Sequence, residues 1–463
     1  MPRIGSHQVP PRTLLLVAVD SLAIGLPLFV STVIRFPHHF PEDLYGVALW
    51  LKIALGIFVC GLCLYFSDLY DFRVVRSRAS LLVNMAKAIG FALLFLSLIY
   101  FLVPGATLGR GVALLAFPFI FALLLSWRLS VNATNLLARG DARMLVIGTG
   151  EAGVSLVRHI LGHPEFNMKV VGFLDENGQN IGKSMVNPCI IGATKDVEEI
   201  VTREKIDSVV LALKERRGST PVRELLNLKV AGVRVEDVHS CFERLSGRIN
   251  LDHLSPSWLI LSEGFKKSRI TRATKRAVDI LISSLILVLV APLLPLIALA
   301  IFLESGRPIF FRQTRVGYKG QPFELIKFRS MVQDAEKNGP RWAAKQDSRV
   351  TRVGAFLRKT RLDEIPQLFN VFRGEMSLVG PRPERPHFCG LLAEEIPFFN
   401  LRHTVRPGLT GWAQTRFSYG ATLEDARRKL ELDLFYLKNL SIVVDLAILF
   451  ETVKVVVLRR GAQ

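Results

Sequence analysis

The stretch Ile280–Phe302 has the sequence ILISSLILVLVAPLLPLIALAIF, and it decides which of two folds the second half of the chain adopts. The stretch is apolar and long enough to cross a bilayer, which takes about 20 helical residues. Pro292 and Pro295 interrupt it near the middle. Because each proline ring removes a backbone donor and clashes with the preceding helical turn, the sequence predicts a sharp bend here.

Positive charge lies on both sides of this stretch. Lys275 and Arg276 precede it, and Arg307 and Arg312 follow it. Since Lys and Arg favour the cytoplasmic side of a membrane, we predict a re-entrant helix at about 278–303 that enters the bilayer, breaks and returns. A straight, kinked span is the alternative, and it would export everything that follows.

The distribution of charge argues against export. The chain has 463 residues and a net charge of +19, and from Gly264 onward 33 Lys and Arg outnumber 18 Asp and Glu, an excess of 15. Such an excess indicates an anionic partner: nucleic acid, lipid headgroups or a phosphorylated substrate. Because the sequence contains no nucleic-acid-binding motif and no basic stripe interleaved with aromatic residues, we expect no nucleic acid.

Four further apolar stretches precede this region. A composition of 50% apolar residues with a mean hydropathy of +0.33 is typical of a membrane protein. Each stretch approaches the length of a membrane span, and the first is expected to be a retained helix rather than a cleaved signal. They occupy approximately residues 13–34, 45–66, 81–103 and 111–130.

The arginines around these four stretches predict their orientation. The two loops expected outside carry one arginine each, Arg35 and Arg110. The other flanks are richer in arginine, which places both ends of the bundle in the cytoplasm. These flanks contain Arg3, Arg12, Arg73, Arg76, Arg78, Arg128, Arg139 and Arg143.

Asp20 lies inside the first stretch. A carboxylate within the bilayer costs about 2.5–3.5 kcal/mol on insertion scales, so it needs a reason to be there. It either turns into the helix bundle or toward the interface, or it belongs to a transport pathway.

From about residue 142 the pattern changes to short β-branched runs that alternate with polar helical segments, which predicts an α/β domain with a parallel sheet. Gly148-Thr149-Gly150-Glu151-Ala152-Gly153 follows the first run, with Asp175 about 20 residues further on. Gly148, Gly150, Gly153 and Asp175 are therefore candidate cofactor-binding residues of a dinucleotide fold. Alternatively, the domain is a degenerate, structural or regulatory Rossmann-like unit, since it is short and contains no Tyr-x-x-x-Lys pair. The runs are Met144–Ile147, Val170–Leu174 and Ser208–Leu213.

Three motif-dense clusters follow the broken helix. They bring many cations, an Asp-Glu pair and a rigid Pro-Arg-Pro segment into one region. Adjacent carboxylates among cations suit metal-assisted phosphoryl transfer, in which a carboxylate can act as the nucleophile. Alternatively, the charges only pair with one another on a solvated helix face. The clusters are Phe311–Met331, Leu357–Gln367 and Gly374–Pro383.

Together these clusters resemble the bacterial sugar transferase family, the monotopic phosphoglycosyltransferases that begin surface-glycan assembly on a polyprenyl phosphate. The resemblance runs from Lys275-Arg276-Ala277-Val278-Asp279-Ile280 to the end of the chain and includes Arg406-Pro407-Gly408-Leu409-Thr410-Gly411-Trp412-Ala413-Gln414. The whole chain looks like the large members, such as undecaprenyl-phosphate glucose or galactose phosphotransferases. The run from Phe265 to the end, with Tyr419-Gly420-Ala421 and the long segment of mixed charge after it, is similar to the branch associated with exopolysaccharide and exosortase gene sets.

The resemblance implies a two-step reaction. Asp363 would attack the β-phosphate of a UDP-sugar, release UMP and carry the phosphosugar, which undecaprenyl phosphate then accepts. Glu364 would be its catalytic partner, and Mg²⁺ the metal, with Asp363 as its ligand. Four cations fall on motif positions and would bind substrate: Lys327, Arg329, Arg358 and Arg382.

Three positions depart from the family pattern. Ala291-Pro292 replaces the usual Ser-Pro at the helix break, and Thr415-Arg416-Phe417 replaces Val-Asn-Gly, which leaves the sugar undetermined. Arg361 stands where relatives usually have serine, and a cation there is expected to lower the pKa of Asp363 and keep it ionised.

The predicted fold is a membrane α-helical N-terminal bundle (1–140), an α/β Rossmann-like domain (141–250), a linker (251–269) and a mainly helical α/β catalytic domain with the re-entrant membrane helix (270–463). We expect a multi-pass protein of the bacterial inner membrane, with its catalytic domain in the cytoplasm, that contacts membrane lipids and forms a homodimer through the Rossmann-like domain. The apolar segment at 432–458 either lies on the bilayer or packs as a buried helix.

Two other functions remain open from the sequence. A membrane-anchored, NAD-dependent nucleotide-sugar dehydratase or epimerase can also carry four helices ahead of a Rossmann fold, although the missing Tyr-x-x-x-Lys argues against it. The other is a non-enzymatic membrane scaffold or sensor that uses its basic face for lipid or nucleic acid.

Overall fold

A computed structural model describes most of the chain, which forms two compact units, residues 8–238 and residues 239–463, with residues 3–7 grouped with the second. Arg73, Arg76 and Arg139, which support the predicted orientation, and Tyr419, Gly420 and Ala421, which support the branch resemblance, lie outside the described residues. The described residues are 3–4, 7–8, 11–36, 47–70, 78–134, 142–163, 166, 168–176, 178–213, 221–252, 254, 256–333, 349–417 and 422–457.

The first unit begins with four helices that are long and apolar enough to cross a membrane, as predicted. Leu64, Met85 and Ile120 pack in the interior of the bundle, whereas Leu22 and Leu114 are exposed on its outside. Apolar side chains on the outside suit a lipid environment, so the chain is a membrane protein, as its composition indicates. The helices are α1 (Pro11–Arg35), α2 (Val47–Phe66), α3 (Arg78–Leu102) and α4 (Arg110–Thr134). The short strands Arg3–Ile4 and His7–Gln8 precede them, and a 3-10 turn, Pro104–Ala106, follows α3.

Asp20 is turned into the bundle. Its Oδ2 atom lies 2.5 Å from Nη2 of Arg128 in α4, and both side chains are buried. The same guanidinium donates to the carbonyl of Leu69 and lies 5.1 Å from the ring centroid of Tyr70. Since an intramembrane charge is tolerated when it is paired, these contacts support the packing role rather than transport.

An α/β domain with a five-stranded, fully parallel sheet follows, as predicted. The strand order is β3-β2-β1-β4-β5, which matches the first five strands of the six-stranded Rossmann order 3-2-1-4-5-6. The three predicted strands are β1, β2 and β4, and the predictions did not identify the two edge strands. The elements are β1 (Ala142–Ile147), α5 (Glu151–Leu161), β2 (Met168–Asp175), β3 (Ile190–Ala193), α6 (Val197–Arg203), β4 (Ser208–Leu211), α7 (Val222–Val230) and β5 (Arg234–Asp237).

The second unit combines helices with two small sheets. An antiparallel hairpin joins β6 to β7, and a parallel pair joins β8 to β9. Its helices are α8 (Val238–Ser246), α9 (Pro256–Leu261), α10 (Arg269–Val290), α11 (Leu293–Ser305), α12 (Arg352–Thr360), α13 (Gln367–Arg373), α14 (Pro386–Glu395), α15 (Trp412–Arg416), α16 (Leu423–Asn439) and α17 (Ile442–Val457). Its strands are β6 (Phe310–Val316), β7 (Pro322–Phe328), β8 (Ser377–Val379) and β9 (Gly408–Thr410).

The chain bends sharply at Ala291-Pro292, where the prolines predict a break. The axes of α10 and α11 meet at 64°. Leu281, Val288 and Leu303 are exposed on these two helices, so the bent pair presents an apolar outer surface. Together the two helices are long and apolar enough to form one membrane segment.

The last helix, α17, has one buried face and one exposed face. Val444 and Ile448 are buried in the core of the unit, while Val443 and Val453 are exposed. One face therefore packs against the protein, and the other is an apolar surface.

The segment before α10 packs on the same core. Ile249 is buried there, and the indole Nε1 of Trp412 donates to the carbonyl of Gly247 at 2.9 Å. Within the segment predicted as a linker, the amide of Leu251 donates to Oε1 of Glu431 at 3.2 Å. Residues 239–267 thus form part of the second unit.

Candidate active site

Asp363 and Glu364 lie in a short 3-10 turn (Leu362–Glu364) between α12 and α13. Arg361 ends α12 in the left-handed conformation, with φ of 59°, and its amide donates to the carbonyl of Arg358. This conformation reverses the chain after α12. As a result, the two carboxylates lie between the end of one helix and the start of the next, rather than on a solvated helix face.

Asp363 is buried, with 6% of its surface exposed. Its Oδ1 atom has no hydrogen-bond partner among the described residues. Burial raises the pKa of Asp363 to about 6, with a further contribution from Glu364, against the opposing effects of Lys327, Arg358 and Arg361. Arg361 lowers this pKa as expected, but desolvation outweighs the effect of the cations, so the pKa of Asp363 still lies above its ordinary value.

Glu364 has the opposite balance. Burial alone would raise its pKa, but Arg382 and Arg361 hold the pKa of this carboxyl below its ordinary value. Nη2 of Arg382 lies 3.1 Å from Oε1 of Glu364, and Nη1 of Arg361 lies 3.6 Å from the same oxygen. Environments that separate the pKa values of adjacent acids assign them different roles: Glu364 stays anionic, while Asp363 titrates near neutrality.

Lys327 approaches the carboxylates from β7. Its Nζ lies 5.2 Å from the ring centroid of Phe311, its partner on β6. Burial lowers the pKa of Lys327 to about 8, although Asp363 and Glu364 favour the charged form. This amine therefore changes charge only slightly above neutral pH.

Three of the four predicted substrate cations surround the dyad. Lys327 and Arg358 lie close enough to lower the pKa of Asp363, and Arg382 forms an ion pair with Glu364. Nε of Arg358 also donates to Oγ of Ser330 at 2.9 Å, which fixes the guanidinium. The structure thus places these predicted residues at one site.

Arg329, the fourth predicted cation, contacts the end of the bent helix pair. Its Nη2 donates to the carbonyl of Ser305 at 2.6 Å and to that of Gly306 at 2.7 Å. These bonds cap the last turn of α11. Its Nε and Nη1 are buried without a hydrogen-bond partner among the described residues, and substrate binding by Arg329 stays a prediction.

Asn370 supports the site, and the sequence reasoning did not identify it. Its fully buried side chain accepts from the amide of Ile326 at 3.1 Å and donates to the carbonyl of Glu324 at 2.7 Å. It thus occupies the edge of β7 as a neighbouring strand would, just before Lys327. The sequence offers one indication of this role, since the polar side chain of Asn370 stands between the apolar residues Phe369 and Val371.

The loop that carries Arg382 is held by two other arginines. Nη2 of Arg402 donates to the carbonyl of Arg382, and Nη1 of Arg315 donates to the carbonyl of Pro383, each at 2.9 Å. Pro381 and Pro383 fix the backbone on both sides of Arg382. The rigid Pro-Arg-Pro segment is therefore also held by two arginine side chains.

The donor set suits a magnesium ion bound together with a diphosphate. Within the part of the chain that the structure describes, no group of three or more His, Cys, Asp and Glu side chains could hold a metal. Mg²⁺ usually takes one or two protein carboxylates and completes its shell with water and substrate phosphates. The unpartnered, buried Oδ1 of Asp363 can supply such a ligand.

The glycine-rich loop of the first unit has a structural explanation. Gly148 has φ of 102°, and a Cβ there would lie 2.8 Å from the carbonyl oxygen of Ala212. A Cβ on Gly153 would lie 2.8 Å from Cβ of the same alanine. Gly150 is the N-cap of α5, and Oδ2 of Asp175 accepts from Nδ2 of Asn180 at 3.2 Å. Nucleotide binding by these residues stays a prediction.

Two family models match the chain. A bacterial sugar transferase model matches residues 270–459, and a CoA-binding domain model matches residues 65–236. The first match contains all the residues of the candidate active site around Asp363 and Glu364. The second contains the glycine-rich loop and all of the parallel sheet except Asp237, the last residue of β5.

Three relatives illustrate the similarity. The chain is 42% identical, over 52% of its length, to UDP-N-acetylgalactosamine-undecaprenyl-phosphate N-acetylgalactosaminephosphotransferase of Aeromonas hydrophila, and it spans 56% of that protein. It is 35% identical, over 71% of its length, to undecaprenyl-phosphate glucose phosphotransferase of Komagataeibacter xylinus, of which it spans 61%. It is 46% identical, over 39% of its length, to UDP-glucose:undecaprenyl-phosphate glucose-1-phosphate transferase of Caulobacter vibrioides, and spans 68% of that protein. The chain therefore belongs to the bacterial sugar transferase family.

Proposed function

We propose that this protein transfers a sugar 1-phosphate from a UDP-sugar to a polyprenyl phosphate such as undecaprenyl phosphate. The observation that carries the proposal is a buried Asp363 with a free oxygen, beside an anionic Glu364 and among Lys327, Arg358 and Arg382. The names of the relatives support the same reaction. The lipid-linked sugar that forms would be the first intermediate in the synthesis of an exopolysaccharide, a capsule or an O-antigen.

In the first step Asp363 attacks the β-phosphorus of the UDP-sugar. A bond forms between its carboxylate oxygen and phosphorus, and the bond from phosphorus to the bridging oxygen breaks. UMP leaves with that electron pair, and the sugar phosphate remains on Asp363 as an acyl phosphate. The raised pKa makes Asp363 a more basic nucleophile than an exposed aspartate, yet it is mostly ionised at neutral pH.

In the second step a phosphate oxygen of the polyprenyl phosphate attacks the same phosphorus. The new phosphorus–oxygen bond completes the diphosphate, and the bond to Asp363 breaks. This returns the carboxylate to its starting state, so the two steps need no external acid or base. The product is a polyprenyl-diphosphate sugar.

The surrounding cations stabilise the charge that moves in both steps. Lys327 and Arg358 lie close enough to influence Asp363, and Arg382 is held between Glu364 and its own rigid loop. Fixed cations around a phosphate supply most of the catalysis in such reactions, because the phosphoryl group itself needs positioning and charge stabilisation. Mg²⁺, held by Asp363 and the diphosphate, would add positive charge there.

We propose that the bent helix pair is a re-entrant hairpin in the cytoplasmic leaflet of the bacterial inner membrane. Its 64° bend and exposed apolar side chains support this geometry, and Arg269 and Arg307 supply an exposed cation on each flank. The site would then lie at the interface, within reach of a soluble nucleotide and a lipid phosphate. The exposed face of α17 would rest on the same leaflet.

We also propose that the Rossmann-like domain forms a homodimer contact. In the sequence, the domain lies between the four apolar helices and the bent helix pair, and its glycines are explained by packing against Ala212. Deletion of residues 142–237, which leaves α8 and the rest of the second unit in place, tests this role when the mass is measured in nanodiscs. An unchanged oligomer would count against it.

Measurement of UMP release tests the proposed function. The protein in nanodiscs is incubated with Mg²⁺, undecaprenyl phosphate and each common UDP-sugar in turn. At least one sugar should yield UMP and a lipid-linked sugar, and Asp363→Asn should yield neither. Glu394→Gln, a change at an exposed carboxylate of α14, should keep full activity. Activity in Asp363→Asn, or no UMP with any of these sugars, would refute the proposal.

A further inference from the structure

Two charged side chains of α10 contact β8. Oδ1 of Asp279 accepts from the amide of Leu378 at 3.2 Å, and Nζ of Lys275 donates to the carbonyl of Val379 at 3.0 Å. Residues four apart on a helix lie on the same face, so one face of the first hairpin helix binds two successive residues of this strand. The opposite edge of β8 pairs with β9.

These contacts belong to a buried polar network. Nζ of Lys275 lies 2.7 Å from Oδ2 of Asp445 in α17. The hydroxyl of Tyr436 donates to Oδ1 of Asp445 at 2.7 Å and also lies 3.1 Å from the Val379 carbonyl. Asp279 is 4% exposed. Because charges lose hydration when they are buried, an apolar contact would hold two elements together at least as well. Directed polar contacts instead fix which residues of the two elements meet.

The strand held in this way leads directly to the active site. Three residues after Val379, Nη2 of Arg382 lies 3.1 Å from Oε1 of Glu364. Three residues span about 10 Å at most, so a shift of β8 is transmitted to Arg382. On the other side of the dyad, Nη2 of Arg276 donates to the carbonyl of Phe372 at 2.8 Å and caps α13. The hairpin helix therefore holds both the strand before Arg382 and the helix after Glu364.

We propose that Lys275 and Asp279 are positioning residues for the transfer reaction: they seat β8 on the hairpin helix and thereby place Arg382 against Glu364. The inference rests on the proposed function and names a role for two residues outside the site. It makes the membrane hairpin part of the catalytic scaffold as well as an anchor.

A double-mutant cycle tests this role. Lys275→Met alone is expected to lower kcat for UMP release about tenfold. A change of this size corresponds to an energy within the range measured for pairs of coupled residues. In an Arg382→Gln background the same change should lower kcat less than about twofold, because the group that it positions is already gone. A role in folding alone predicts a lower melting temperature and equal losses in the two backgrounds, which would overturn the proposal.

Two changes at Asp279 and one control complete the experiment. Asp279→Asn keeps an acceptor for the Leu378 amide and should retain activity within about twofold, whereas Asp279→Leu should match Lys275→Met. Equal loss in both Asp279 variants would contradict positioning through this hydrogen bond. Arg272→Met, an exposed change on the same helix, should have no effect. If the unaltered protein releases no UMP, the proposed function fails; if it is active and the losses are equal, only this inference fails.

Discussion

Replacement of Lys327 by arginine is expected to remove the alkaline limb of the pH profile. The amine is partly buried beside Phe311, and desolvation lowers the pKa of Lys327 to about 8. Burial raises the pKa of Asp363 to about 6. If the first step needs an ionised Asp363 and a protonated Lys327, kcat/KM rises with pH through about 6 and falls again above about 8.

The size of the effect follows from the two pKa values. One pH unit above its pKa, about one tenth of Lys327 is protonated, so kcat/KM at pH 9 should be about tenfold below the plateau. One unit below its pKa, about one tenth of Asp363 is ionised, which gives a similar loss at pH 5. Arginine stays protonated throughout this range, so Lys327→Arg should keep the acid limb and lose the alkaline one.

The assay is initial-rate UMP release at subsaturating UDP-sugar between pH 5 and 9.5. Lys359→Arg, a change at an exposed lysine of α12, is the matched control and should keep both limbs. The plateau of Lys327→Arg is expected to fall, because a planar guanidinium does not replace an amine at the same point. The shape of the profile decides the test: an unchanged fall above pH 8 in Lys327→Arg would refute the role of this amine.

Three predictions concern stability. Asp20→Leu should lower the free energy of unfolding of the helix bundle by about 3–5 kcal/mol, because Arg128 is left buried and unpaired. Replacing both Asp20 and Arg128 by leucine should recover most of this loss. An unchanged free energy of unfolding in Asp20→Leu would contradict this prediction. Asn370→Ala should lower the melting temperature by several degrees, because two peptide groups of β7 lose their hydrogen-bond partners. An unchanged melting temperature would show that Asn370 does not stabilise β7. A chain of residues 239–463 should unfold cooperatively, whereas 270–463 should not, and equal behaviour would show that the preceding segment is dispensable.

The elements that the sequence predicts well are those set by local pattern. Four apolar stretches of spanning length became four helices, and β-branched runs became parallel strands. The break at Ala291-Pro292 was predictable because proline acts on its own backbone and the preceding turn. Each of these signals is contained within the segment that it describes.

The features that escaped prediction depend on residues distant in sequence. Arg361 lowers the pKa of Asp363 as the sequence predicts, but the sequence does not show that burial raises this pKa by more. The contacts of Arg329 with the end of α11 and of Asn370 with β7 join separate elements. The packing of residues 239–267 on the second unit likewise depends on surfaces that exist only after folding.

The residues that meet at the site are predicted by their resemblance to family motifs, and not by hydrophobic periodicity or local charge. Asp363, Glu364, Lys327, Arg358 and Arg382 come from three separate clusters, and only the fold brings them together. Their spacing in the chain indicates no common site. The split between a titratable Asp363 and an anionic Glu364 comes from the structure alone.

The covalent step is the central claim, and intact-protein mass spectrometry tests it most directly. The protein is mixed with Mg²⁺ and an accepted UDP-sugar in the absence of polyprenyl phosphate. One equivalent of UMP should be released, and the protein should gain the mass of one sugar phosphate, located on Asp363 and removed when undecaprenyl phosphate is added. UMP release that requires the lipid phosphate, with no added mass at any time, would contradict a nucleophilic Asp363 and indicate direct transfer.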